Sequence, residues 1–292
     1  MPSLSVIRTL LRELITRERS PRVNEPDLVM DDPEKVAAYT RAGREDGVMA
    51  PVYLFHCAQI CEIICPDDTV VDLGCGPATQ LAMVARLNPE TNFIGVDLSA
   101  DMLAKARGYI AEQGLENVEF REGDITDLSI FGDGSIDAVI STVALHHLPS
   151  VEALENTFSE INRILKKNAG LYLADFGHLK SEKSITDFAY QYADSQHELF
   201  TLDYLYSLRA AFALEDFQRI ASIYLKEANL YSTFLAPYMV VVKSRTCRSQ
   251  NNQEVIEQLH AIHNDLPDHH KKDLTDLCTF FRLGGLHSNF IG

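Results

Sequence analysis

Basic residues are scarce in this chain. Lysine and arginine total 26 against 42 aspartates and glutamates, a formal net charge of −16 over 292 residues. Nucleic-acid binding through a broad basic face needs clustered Lys and Arg to neutralise phosphates, so the charge balance argues against it and leaves room only for a local basic patch. Long apolar runs are also missing. No stretch approaches the roughly 18 residues that span a bilayer, and no membrane partner is expected. Cysteine is sparse, six in all. That is too few for a disulfide scaffold at this length, and a reducing cytoplasm is the expected setting. Internal repeats and low-complexity tracts are absent. What remains is an ordinary globular composition, 46% hydrophobic and 23% charged, enough for one large domain with additions or two small ones.

At the N-terminus Ile7, Leu10, Leu11, Leu14 and Ile15 recur at helical spacing, interrupted by Arg8, Arg12, Glu13 and Arg17. This reads as an amphipathic helix rather than a signal peptide. Packing on the body of the protein or on a second subunit is the first expectation; the mixed charge weakens membrane-surface attachment. A homodimer is left open. Cys57, Cys61 and Cys65 stand four apart and share one helical face, which serves buried apolar cysteine better than a metal cluster. His260, His263, His269, His270 and His287 in the tail have no Cys or carboxylate pattern to complete a site, and no metal is expected.

The most informative run is Val70-Val71-Asp72-Leu73-Gly74-Cys75-Gly76. It reads as an apolar strand closing on an acid, then a glycine-bracketed turn, then a helix. Such a turn admits a ligand against bare backbone. Two ligands compete for it, a dinucleotide and S-adenosylmethionine (SAM). A dinucleotide fingerprint is Gly-x-Gly-x-x-Gly, with free amides at the helix start facing pyrophosphate. Here Thr79 replaces the third glycine and Pro77 removes an N–H. A loop poor in amides beside a carboxylate suits a cationic ligand without phosphate, which SAM is.

Along the chain, strands are expected at Val70–Asp72, Phe93–Asp97, Val118–Arg121, Ile136–Ser141 and Leu171–Asp175, with helices at Ala78–Leu87, Ala100–Gln113 and Val151–Leu165 between them. Helices are also expected from Asp32-Pro33 through Tyr39 and over Val52–Ile64. This alternation signals a parallel sheet covered on both faces. After Asp175 comes an aromatic-rich stretch, a helix over 214–228, and two strands, Leu230–Ala236 and Tyr238–Lys243, that make an antiparallel pair. Helices are expected near 252–264 and 270–283.

Taken together, the motifs from Thr69 to Phe176 resemble the class I, Rossmann-like SAM-dependent methyltransferases. They look most similar to the small-molecule group that includes ubiquinone/menaquinone-biosynthesis and arsenite enzymes. The resemblance implies an α/β fold with a Rossmann-like seven-stranded sheet, mostly parallel with one antiparallel strand, and helices on both faces. It divides the chain into an N-terminal helical segment or lid (1–66), a SAM-binding core (67–177), a helical cap (178–212), the end of the core sheet (213–246) and a C-terminal helical extension (247–292).

It also implies site residues. Asp72, Gly74 and Gly76 would line the methionine half of SAM. Asp97 would bind both ribose hydroxyls, since a carboxylate accepts two donors at once. Leu98 and Met102 would flank the adenine, Asp124 would accept from its amino group, and Ile125 would lie against the ring. Ser141 would present its backbone carbonyl to the methionine ammonium. Singly, each acid is as well explained as a helix cap or turn former. Together, three acids closing three successive strands fall on the rim where open parallel sheets bind ligands.

Methyl transfer is an in-line displacement, and a base is needed only if the acceptor must lose a proton first. His146 and His147, in Leu145-His146-His147-Leu148-Pro149, are the candidate catalytic residues, His146 foremost. The other reading is that a histidine here only orders the loop. Tyr39, Arg41 and Arg44 are candidates for a lid over the cofactor, or else a solvated helix face. The aromatic stretch 188–212 is a candidate acceptor wall or a cap core. The expected activity is methyl transfer from SAM, giving S-adenosylhomocysteine (SAH), to a small-molecule acceptor. The alternatives are a SAM-binding regulator without turnover, and a protein or nucleic-acid methyltransferase.

Overall fold

The computed structural model describes residues 4–26, 47–193, 196–245 and 253–290. Seven strands form one sheet: β1 (Thr69–Leu73), β2 (Asn92–Asp97), β3 (Val118–Glu122), β4 (Ile136–Thr142), β5 (Leu165–Phe176), β6 (Ala228–Ser232) and β7 (Met239–Ser244). Their order is β3-β2-β1-β4-β5-β7-β6. The pairs among β1 to β5 are parallel, and β7 runs antiparallel to both β5 and β6.

Both faces of the central strands are buried, so those strands read as apolar runs and neighbouring residues enter different layers. Val70, Phe93, Ala138 and Val241 join one apolar cluster; Val71, Ile94, Val139 and Val240 join the other. Helices α2 (Ala50–Cys61), α3 (Thr79–Leu87) and α4 (Ala100–Glu112) cover the first face, with Cys57 and Cys61 buried in that core. Helices α5 (Val151–Ile164) and α8 (Leu214–Tyr224) cover the second. Ser99 and Ser150 cap α4 and α5 by accepting the N–H groups of Met102 and Ala153, which satisfies donors that a helix start leaves unpaired. The strand order reverses between β1 and β4, successive strands being added on one side from β1 to β3 and on the other from β4, and the crevice at their carboxyl ends is where such sheets take ligands.

Two strand boundaries differ from expectation by more than two residues. β5 begins at Leu165 rather than Leu171, directly after α5. Its first part is exposed and polar, Lys166-Lys167-Asn168, with Asn168 at φ 60°. An apolar-run criterion therefore misses it. β6 stops at Ser232 rather than Ala236. The Thr233 hydroxyl donates to Ala236 O at 2.7 Å and accepts Met239 N–H at 3.2 Å, and Leu235 takes φ 68°. These contacts close a loop in place of a strand.

Two helices form the cap, α6 (Glu182–Ala189) and α7 (Glu198–Ala210). α7 packs on the 3-10 turn Leu145–His147. Helix α1 (Leu4–Ile15) packs on α6, but not through the whole apolar stripe. Leu10 is buried whereas Leu11, Leu14 and Ile15 are exposed. Buried Glu13 accepts the N–H groups of Lys180 and Ser181 at 2.7 and 3.1 Å, placing a carboxylate at the positive start of α6. The tail helices α9 (Gln253–Asp265) and α10 (Asp268–Leu283) pack on α2, where Phe55 and Phe281 stack at 4.8 Å. A buried Lys243–Glu62 pair at 2.6 Å ties β7 to the chain after α2, and Glu62 also accepts Asn289 N–H at 2.6 Å. The helix expected from Asp32-Pro33, with Tyr39, Arg41 and Arg44, lies outside the described residues.

Candidate active site

The turn after β1 is built on left-handed backbone at Gly74 (φ 70°), Gly76 (φ 52°) and Ala78 (φ 61°). Its amides are spent inside the protein. Val96 O accepts Gly74 N–H at 2.8 Å and Cys75 N–H at 3.1 Å. Asp97 Oδ2 accepts Gly76 N–H at 2.8 Å, and Cys75 O accepts Ala78 N–H at 3.0 Å. Pro77 has none to offer. A pyrophosphate would find no donors along this run, whereas a phosphate-free ligand loses nothing. Gly76 has open space where a Cβ would stand and lines a hollow of about 70 Å³. The residues present therefore fit the cationic, phosphate-free ligand better than the dinucleotide.

Carboxylates surround this turn. Asp97 also accepts Ser99 N–H at 2.9 Å, so its two oxygens brace both the glycine turn and the start of α4. Asp72 is buried, and desolvation together with the Asp97 charge pushes its pKa up to about 8. Asp124 Oδ1 accepts the Thr126 N–H and hydroxyl, both at 2.8 Å, in a turn that leaves Asp124 at the surface.

The second loop, after β4, turns on Val143 at φ 56°. A β-branched residue rarely takes this conformation. Its N–H is held by Ala174 O at 2.8 Å. Next comes a polar chain. Asp175 is the penultimate residue of β5 and is 1% exposed. Its carboxylate accepts His146 N–H at 2.9 Å and meets His146 Nδ1 at 2.8 Å. His146 Nε2 faces Glu25 Oε1 at 3.5 Å, and His147 Nδ1 meets Glu25 Oε2 at 2.7 Å. The Ser207 hydroxyl donates to Glu25 Oε1 at 2.7 Å. Arg22 locks the strap that carries Glu25: it donates to the carbonyls of His146 and Leu148 at 3.0 and 2.6 Å and stacks on Phe212 at 4.0 Å.

These contacts fix charge states. Burial opposes ionisation of Glu25, but the His147 hydrogen bond and both histidine charges overcome it and hold its pKa at about 2. Burial likewise disfavours a charged His146, and Asp175 and Glu25 outweigh it, so its pKa is raised. Glu25, His146 and His147 also bring ligand-type atoms within 4.8 Å of one another, the spacing a metal ion needs. Glu25 instead bridges the two histidines in the chain just described.

Two further cavities flank the 70 Å³ hollow. One of about 370 Å³ is lined by Asp97, Leu98, Met102, Asp124, Ile125 and His147. The other, about 380 Å³, lies under the cap and is lined by rings from β5, α6 and α7. The hollow itself is lined by Gly74, Gly76, Met102, Val143, His146 and His147 among others. It therefore shares Met102 and His147 with the first cavity and Val143 with the second. Nine of the residues singled out from the sequence are thus brought together. Ser141 is not among them: it is fully buried, and its hydroxyl donates to Leu73 O at 2.8 Å, tying β4 to β1. Asp72 stands just below the rim, within reach of Asp97's field. Tyr39 and Arg44 are outside the described residues. Glu25, Asp175, Ser207 and Val143 escaped sequence reading. Only Asp175 carried a signal, as an acid ending a strand; Glu25 sits in a proline-marked connector with no periodicity to flag it.

Comparison with known proteins places the chain among methyltransferases. A family model described as a methyltransferase domain matches residues 64–228, more than half of the chain. An arsenite methyltransferase of Halobacterium salinarum is 33% identical over 111 residues, 38% of this chain and 27% of that protein. A trans-aconitate 2-methyltransferase of Deinococcus radiodurans is 45% identical over 84 residues, 29% of this chain and 30% of that protein. The chain thus spans under a third of the length of these curated relatives. Among solved structures, the plantazolicin methyltransferase BpumL in complex with SAH aligns over 91% of this chain and 92% of its own, with TM-score 0.54 and 17% identity, a likeness of fold.

Proposed function

The chain belongs to the methyltransferase domain family and its cofactor is S-adenosylmethionine, and we propose that it transfers the cofactor's methyl group to a small-molecule acceptor. The observation that carries this reading is the glycine turn with its amides from Gly74 to Ala78 spent internally, Asp72 and Asp97 beside it and Asp124 on the neighbouring cavity. Gly76 and Asp72 would take the amino-acid half of the cofactor, Asp97 the ribose, and Leu98, Met102 and Ile125 the faces of the adenine, with Asp124 at its edge. The relatives named for arsenite and trans-aconitate support an acceptor of small size.

When bound, SAM supplies a methyl group on a sulfonium: the acceptor lone pair bonds to carbon as the carbon–sulfur bond breaks and sulfur keeps its electrons. Where that acceptor must shed a proton, His147 is the group to receive it. In its neutral form His147 donates from Nδ1 to Glu25, 2.7 Å away, which leaves Nε2 as an acceptor. His146 has a carboxylate on each side and acts as a positioning residue for the loop. The test is incubation with SAM and a metabolite extract, following SAH. SAH should rise only with extract, and Asp97→Ala should weaken SAH binding by about 1–3 kcal/mol, the cost of leaving a hydrogen-bonding partner unsatisfied. Tight SAM binding with no turnover on any extract would instead make this a binding protein.

Asp72 supplies a second expectation. Near neutral pH it is protonated in the free protein, because its pKa is raised to about 8. A ligand ammonium beside it favours the carboxylate, so SAH binding should release about one proton near pH 6.5. Affinity should climb with pH and level off near 8. Calorimetry in buffers of different ionisation enthalpy reads the proton directly, and Asp72→Asn should abolish its release.

A further inference from the structure

The 380 Å³ cavity under the cap is of the size that holds one small organic ligand, roughly 300–1,000 Å³. Its position gives it a job, since it meets the methionine hollow at Val143. Its walls have two characters. One is aromatic: Phe176, Phe188, Phe200, Tyr204, Tyr238 and Phe280 line it. Phe188 stacks on Tyr238 at 4.9 Å, Tyr238 meets Phe280 edge-on at 6.2 Å, and Phe176 meets Tyr204 at 5.3 Å. Burial pushes the Tyr204 and Tyr238 hydroxyls up, which keeps both rings neutral.

The other character is acidic. Helix α10 contributes Asp273 and Asp276 to the lining, and Lys272 with them. Lys272 Nζ lies 3.2 Å from Asp276 Oδ2, and its side chain is 55% exposed. Asp273 is hydrogen-bonded to Tyr192, another lining residue, and burial raises its pKa. Among the described lining residues, two carboxylates thus face one ammonium that reaches outward. An anionic ligand would meet net like charge in a poorly solvated space, and a neutral one would leave the carboxylates with nothing to gain. A cation gains on both counts, through charge-assisted hydrogen bonds to the carboxylates and the negative faces of the rings. The chain's net charge of −16 also draws cations in.

We infer that the methyl acceptor is a small cationic molecule, an amine or guanidine on an aromatic or otherwise apolar body, with Asp273 and Asp276 holding the positive group and the rings holding the body. This rests on the methyl-transfer reading above. The cation is the recognition group; the acceptor atom is the one that comes to rest beside Val143.

The test uses the full chain saturated with SAH and two matched series, phenethylamine with phenethyl alcohol and phenylacetate, and tryptamine with tryptophol and indoleacetate. Calorimetry should show the amine of at least one series binding roughly tenfold or more tighter than its alcohol, with the carboxylate weakest. Asp273→Asn and Asp276→Asn, which change charge but not shape, should bring the amine toward the alcohol's affinity while SAH affinity stays unchanged. Alcohol or carboxylate binding as tightly as amine, an amine unaffected by both variants, or no amine binding to the SAH complex each overturns the inference and leaves methyl transfer standing. Failure of SAH itself to bind overturns the methyl-transfer reading, and this inference with it.

Discussion

Asp175→Ala should lower stability by about 3–5 kcal/mol, the cost of breaking a buried pair by removing one partner. Among the described residues, no other carboxylate in the site is so fully buried and bonded. It is 1% exposed and meets the His146 ring, the His146 N–H and the Phe176 N–H, all within 2.9 Å. Without it a buried imidazolium keeps only Glu25, 3.5 Å away, and the turn holding His147 loses its anchor. Urea unfolding measures the loss. Asp175→Asn keeps an acceptor and should cost less, but it should change the pH profile. His146 has a folded pKa raised above its ordinary 6.5. The stability it contributes is therefore full below 6.5 and is lost as pH rises through the folded value. Glu25 has a folded pKa lowered from 4.5 to about 2, so its contribution is full above 4.5 and is lost as pH falls toward 2. The cluster is strongest between these limits, and Asp175→Asn should flatten the alkaline side while leaving the acid side in place.

Gly74→Ala should remove cofactor binding and destabilise the fold, whereas Gly76→Ala should do mainly the first. A Cβ on Gly74 would stand 2.5 Å from Ala144 Cβ, where the two rim loops touch. Left-handed backbone costs an alanine roughly 1–2 kcal/mol, and forcing the loops apart adds roughly 1–3 kcal/mol. Gly76 has the same backbone sign but nothing within 4 Å of its Cβ position. Its alanine bears the backbone cost alone in the free protein, yet its methyl stands in the hollow the cofactor needs. Thermal unfolding and SAH calorimetry together separate the two. If both variants lose stability and affinity to the same degree, the space beside Gly76 is not a ligand's.

The strands were legible where burial on both faces demanded unbroken apolar runs, as at Val70-Val71 and Phe93-Ile94, and with them the helices that alternate between them, as after Ser99 and Ser150. They were not legible where a strand is exposed. Lys166 to Asn168 carry no apolar signal, and they fall in the register shift between the Ile136–Leu165 and Ala138–Gly170 pairs of β4 and β5. In the site the same division holds. Asp97 and the glycines were readable because a turn of this kind needs specific residue types at fixed spacing. Glu25 was not, because nothing local constrains it.

The amino-acid order by itself determined the doubly covered sheet, the glycine turn and its preference for a ligand without phosphate, since periodicity and backbone conformation are local properties. Only the tertiary structure decided that a strap residue near the N-terminus polarises a histidine after β4, and that two carboxylates from the C-terminal helix enter the cavity under the cap. Hydrogen bonds and buried charges depend on distances across the fold. Residues 25 and 147, or 143 and 273, share no pattern along the chain and meet only once it is packed.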